Sequence, residues 1–136
     1  MSLSTPNTLL YAIAAAAFAI YVPYLVVAYG RFISDFDLAA PRAMFDRLPP
    51  YAQRATWAHQ NSFETFMPFT AAALMAYVTS VTSPYAAYAA IAFVTARLLF
   101  SVFYILNVPP LRSLMFGVGS AATVTLFALS FMAIAP

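Results

Sequence analysis

A chain of 136 residues that is 64% hydrophobic and only 7% charged, with a mean hydropathy of +0.84, carries too much apolar surface for a soluble fold; soluble domains are typically about 25% charged. The absence of cysteine excludes a disulfide framework, a thiolate metal site and a protein thiol nucleophile. A net charge of +2, without a helix-turn-helix, RRM or zinc-finger pattern, gives no argument for nucleic acid.

Four apolar stretches follow one another, each long enough to match the roughly 20 residues that span a hydrocarbon core. The first covers 9–29 and contains Pro23, which should kink it. Residues 1–8 hold no Lys or Arg to form the basic flank of a signal peptide, so this stretch reads as a retained span. The one sizeable loop, 31–53, carries Arg31, Asp35, Asp37, Arg42, Asp46 and Arg47, a solvated segment suited to lipid headgroups. The second stretch covers 54–78, and Thr79, Ser80, Thr82, Ser83 and Pro84 separate it from the third, 85–106. Asn107, Pro109 and Pro110 separate the third from the fourth, 111–134. Short connections make neighbouring helices antiparallel. The expected fold is therefore an all-α membrane protein, a four-transmembrane-helix up-and-down bundle forming a single domain over 1–136.

All six basic residues are arginines, and with the four acidic ones they fall in the first loop, on the second stretch, late in the third or at the start of the fourth. In an up-and-down bundle those places share one end. The positive-inside rule puts that end in the cytoplasm and both termini outside.

Charges within the spans carry the most information. From Arg54, the residues Trp57, Asn61, Glu64 and Pro68 follow at steps of three and four, which sets them on one helical face. In the third stretch Arg97, Phe100 and Tyr104 repeat that spacing. At about 1.5 Å per residue, Glu64 and Arg97 lie at matching depths. A charge alone in lipid costs at least about 2.5 to 3.5 kcal/mol, so the economical arrangement is a Glu64–Arg97 ion pair. Such a pair serves helix register as readily as function. Pro68 removes the amide that would have bonded the Glu64 carbonyl. His59, the only histidine, lies off the Asn61 face, which favours a hydrogen-bonding or surface role over metal ligation; nothing in the pattern points to a metal.

The run from Arg54 through Asn61 and Glu64 to Pro68 and Phe69 resembles the signature of the MAPEG superfamily, membrane-associated proteins in eicosanoid and glutathione metabolism. Tyr21 with Arg31, Arg97 with Tyr104, and Pro110 to Ser113 are similar to other conserved places of that family, so most of the chain takes part in the resemblance. It implies a microsomal glutathione transferase-like member: a homotrimer that binds glutathione as cosubstrate between protomers near the cytoplasmic face. The partner substrate would be a lipophilic small molecule dissolved in membrane lipid, and the reaction a transfer or a peroxide reduction. Carried over by position, Arg31, Asn61, Glu64, Tyr104, Arg112 and Ser113 would contact glutathione, with Arg112 and Ser113 at the sulfur and Arg97 supporting Glu64.

The chemistry of these residue types agrees. Glutathione carries two carboxylates and an ammonium, for which Arg31, Arg54 and Arg112 supply bidentate cations and Glu64 the anion. A thiol with a pKa near 8.5 becomes nucleophilic beside a fixed cation, and Arg112 stands in the first helical turn of the fourth stretch, where the macrodipole also favours an anion. The chain departs from the family at Trp57 and Gln60, where basic residues are usual, and at Phe100 and Phe116, where polar aromatics occur. Those departures leave open a catalytically silent membrane scaffold or adaptor. A transporter is disfavoured by four short spans without inverted repeats.

Overall fold

The computed structural model describes residues 4–135, so the terminal residues whose outward location the sequence suggests lie outside the described residues. The described chain is helical: α1 Thr5–Ala19, α2 Tyr21–Phe32, α3 Pro50–Val78, α4 Pro84–Ile105 and α5 Pro109–Ile134, with a short 3-10 turn at Phe45–Arg47 in the first loop. Proline starts α3, α4 and α5, where its fixed φ suits a helix and its missing N–H would have had no partner.

The first apolar stretch is two helices. Pro23 cannot donate to the Ala19 carbonyl, and its ring crowds that carbonyl, so the helix breaks at Ile20. The kink expected from Pro23 thus falls at Ile20, whose own backbone stays right-handed helical at φ −55° and ψ −39°.

Two tight turns reverse the chain. After α3, Val81 N donates to Ala76 O at 3.0 Å and Ser80 takes a φ of 56°. After α4, Val108 N donates to Phe103 O at 2.9 Å and Asn107 takes a φ of 59°. Both are Schellman closures, in which a left-handed residue lets the chain satisfy the last carbonyls of the helix. They turn α3 to α4 and α4 to α5 within a few residues.

Small side chains permit close packing. Ala12 and Ala16 of α1, Ala72, Ala73 and Ala76 of α3, and Ala86 and Ala90 of α4 are buried around Phe69 and Phe93, whose rings stack 3.7 Å apart. At the other end, Gly30 of α2 crosses α3 so closely that an added Cβ would lie 2.5 Å from the Ala52 Cβ.

Among the described residues, three segments are long and apolar enough to cross a membrane: Thr5–Phe32 taken through its break, Pro84–Ile105 and Pro109–Ile134. The expectation of four spans is met in part. At 29 residues α3 has the length, but its first half carries Arg54, His59, Gln60, Asn61 and Glu64 and lowers its hydropathy. α3 packs against α1, α2, α4 and α5, so the most polar helix has neighbours from every other helix of the bundle.

Candidate functional site

The polar stripe of α3 meets the charged ends of α4 and α5. Arg54 is committed to the fold: its Nε donates to the Ile105 carbonyl at 2.9 Å, one of the last carbonyls of α4, which lack helical donors. Arg54 thus ties the end of α4, and one turn further along Trp57 packs between Phe45 of the loop and Tyr104 of α4, with ring centroids 5.6 and 6.4 Å away.

Asn61 joins the two charges that the sequence analysis pairs directly. Arg97 Nη2 donates to Asn61 Oδ1 at 2.9 Å, and Asn61 Nδ2 donates to Glu64 Oε2 at 3.2 Å. The direct Glu64–Arg97 ion pair is not formed among the described residues. Burial gives the reason: Arg97 is enclosed and Asn61 half-buried, whereas Glu64 is exposed, so only the amide is placed to face α4. The guanidinium of Arg97 also lies over Phe100, 4.1 Å from its ring centre.

Trp57, Gln60, Asn61, Glu64 and Tyr104 line an open cleft of about 410 Å³. Arg112 stands at its Tyr104 wall, the guanidinium 4.6 Å from that ring centre, held in the first turn of α5 by its amide bonding Val108 O at 3.1 Å. Ser113 follows on the exposed side of the same turn. The cleft thus has a carboxylate at one place and a guanidinium, stacked on an aromatic face, at another.

Arg31 is elsewhere. It lines a larger cavity of about 620 Å³ with Arg42, Tyr24, His59, Gln60 and Phe63, on another side of α3. Its Nε is buried without an acceptor. Arg42, which the sequence assigns to a solvated loop, lends this cavity a second guanidinium. Gln60 borders both the cavity and the cleft. Two fixed cations fit carboxylates, while the cleft fits an ammonium at Glu64 and an anion at Arg112.

His59 has a structural task that only Pro23 foreshadows. Its Nδ1 lies 2.8 Å from the Ile20 carbonyl, at the break between α1 and α2, and a carbonyl only accepts, so Nδ1 is the donor. Tyr24, Phe63 and Tyr21 surround the ring at centroid distances of 5.1, 5.2 and 6.0 Å.

A helical membrane protein with its charged residues gathered toward one end is the class this arrangement defines. The chain belongs to the MAPEG family, whose model matches residues 8–132. No curated protein and no solved structure matches it.

Proposed function

We propose that this protein is a glutathione-dependent transferase or peroxidase, acting on lipophilic electrophiles within the membrane. In this reading α3 is the fourth span, the charged end is cytoplasmic and the working unit is a homotrimer. The observation that carries it is the division of the recognition groups. Arg31 and Arg42 line a cavity on one side of α3, while Asn61, Glu64, Tyr104 and Arg112 border a cleft on another. Neither half alone matches glutathione, which needs two cations for its carboxylates, an anion for its ammonium and a cation at its sulfur. Packing the cavity side of one copy against the cleft side of the next supplies all four. It also covers Glu64, an exposed carboxylate on a helix at membrane depth, which alone in lipid would cost at least about 2.5 to 3.5 kcal/mol.

Each residue then has a role. Glu64, oriented by Asn61, takes the ammonium. Arg31 and Arg42 hold carboxylates, and the free Nε of Arg31 gains an acceptor. Arg112, always protonated, lowers the thiol pKa so that the sulfur is ionised near neutral pH, and Ser113 hydrogen-bonds it. The thiolate displaces a leaving group from an electrophilic carbon arriving through the lipid, or attacks a peroxide oxygen and breaks the O–O bond. The second route releases the alcohol and a glutathione sulfenic acid, which a second glutathione converts to the disulfide and water. Trp57 and Gln60, in place of basic residues, reduce the positive charge on the cleft, so affinity should be lower than a fully arginine-lined cleft would give.

Calorimetric titration of the detergent-purified protein with glutathione tests the reading: saturable binding supports it. No heat at millimolar concentration leaves the second reading, a silent scaffold, which the cation-poor cleft at Trp57 and Gln60 favours.

A further inference from the structure

The cleft on α3 holds one charge of its own. Of the residues that line it, Trp57, Gln60, Asn61, Glu64 and Tyr104, only Glu64 has a charged side chain, and it is exposed. The arginines nearest to it are engaged. Arg54 donates to the Ile105 carbonyl at 2.9 Å, Arg97 donates to Asn61 at 2.9 Å, and Arg112 lies against the Tyr104 ring. The lining that this chain supplies is therefore a seat for a cation.

An aromatic face completes the seat. Trp57, the only tryptophan in the chain, is 43% exposed. Phe45 and Tyr104 flank its ring, with centroids 5.6 and 6.4 Å away, and fix the indole against the cleft wall. Tyr104 already has the Arg112 guanidinium 4.6 Å from its ring centre, so the face left for a ligand cation is that of Trp57, the ring type that attracts cations best. Trp57 and Asn61 are one turn apart on α3, about 6 Å along its axis. The bond from Asn61 Nδ2, at 3.2 Å, draws the Glu64 carboxylate back toward that turn. An ammonium set there meets a carboxylate on one side and an indole on the other.

Glutathione fits this seat incompletely. Its ammonium and one of its carboxylates share a carbon, so seating the ammonium brings that carboxylate beside Glu64. Gln60 can offer it only an uncharged amide, and an arginine from the next copy reaches it against the repulsion of the Glu64 anion.

We propose that Trp57 sets the ligand class of the cleft: a thiol with a primary ammonium and no carboxylate on the ammonium-bearing carbon. The inference rests on the cleft taking a thiol peptide, as proposed above, and narrows which one. An arginine at position 57 would pair with the carboxylate; the indole holds the ammonium instead. Arg112 keeps its place at the sulfur.

The test compares three thiol tripeptides by calorimetry on the detergent-purified protein. They are glutathione, γ-aminobutyryl-cysteinyl-glycine, which lacks only the carboxylate beside the ammonium, and glutaryl-cysteinyl-glycine, which lacks only the ammonium. The aminobutyryl peptide should bind at least as tightly as glutathione and change the fluorescence of Trp57, which reports the cleft alone. The glutaryl peptide should bind at least about tenfold more weakly than the aminobutyryl one, a loss of about 1.4 kcal/mol. Trp57→Arg should reverse the order and favour glutathione at least about tenfold. Trp57→Leu, which keeps an apolar side chain without the aromatic face, should weaken the aminobutyryl peptide about fivefold. Tighter binding of glutathione than of the aminobutyryl peptide to the wild type, or an order unchanged in Trp57→Arg, would overturn the inference and leave the proposed function standing. Binding of neither peptide would overturn both.

Discussion

Asn61 on α3 lies between Arg97 and Glu64, accepting from the guanidinium at 2.9 Å and donating to the carboxylate at 3.2 Å. An uncharged amide therefore holds the buried cation, and the carboxylate is left at the surface. Asn61→Leu should lower stability by about 2 to 3 kcal/mol, because it removes the one acceptor of a buried charged group. Glu64→Gln, at an exposed position, should stay within about 0.5 kcal/mol. Thermal unfolding in detergent checks the order; a larger loss in Glu64→Gln than in Asn61→Leu would restore the direct ion pair.

Two helical glycines differ in a way that substitution can read. At Gly30 an added Cβ would lie 2.5 Å from Ala52 Cβ, whereas at Gly117 nothing lies within 4 Å. Gly30→Ala should cost about 1 to 3 kcal/mol through overpacking. Gly117→Ala should be neutral or stabilising, by up to about 1 kcal/mol from helix propensity. Equal unfolding midpoints for the two variants would contradict the close crossing of α2 and α3.

His59 donates to Ile20 O at the break caused by Pro23. His59→Phe keeps an aromatic ring among Tyr24 and Phe63 but loses the donor, and should cost about 1 to 2 kcal/mol. Hydrogen exchange in the 19–24 segment should rise with it. Unchanged protection there would make the contact incidental.

The proposed orientation puts the loop bearing Phe45–Arg47 inside and the turn before Pro84 outside. In a chain that has no native cysteine, a single cysteine at Ser83 should react with an impermeant maleimide in intact cells, and one at Asp46 should not. The reverse pattern inverts the protein in its membrane and leaves the bundle unchanged.

Helix positions were legible in the sequence because proline and apolar length mark them strongly. Pro50, Pro84 and Pro109 start helices, and Ser80 and Asn107 close them. Spacing also set Asn61 and Glu64 on one face of α3. What spacing could not resolve was which of the two faces Arg97, since residues three apart differ by a modest rotation and burial decides between them. The destinations of Arg54 and His59 were hidden for a related reason. Each bonds a backbone carbonyl on another helix, Ile105 and Ile20, and a carbonyl left free at a helix end or break has no side-chain signature. The approach of Arg42 to Arg31 depends on the path of the first loop, which short-range periodicity does not encode.

The central claim is that Arg112, stacked on Tyr104 at the cleft, ionises the sulfur of a bound thiol peptide. The most direct measurement is the ultraviolet difference spectrum of the purified protein titrated with glutathione, alongside Arg112→Ala. The wild type should show a saturable thiolate band at neutral pH, where the free thiol, with a pKa near 8.5, is mostly protonated. Arg112→Ala should lose that band while calorimetry still records binding through Glu64 and the arginine cavity. A wild-type protein that shows neither the band nor binding at millimolar glutathione, or a band that persists undiminished in Arg112→Ala, would contradict the account.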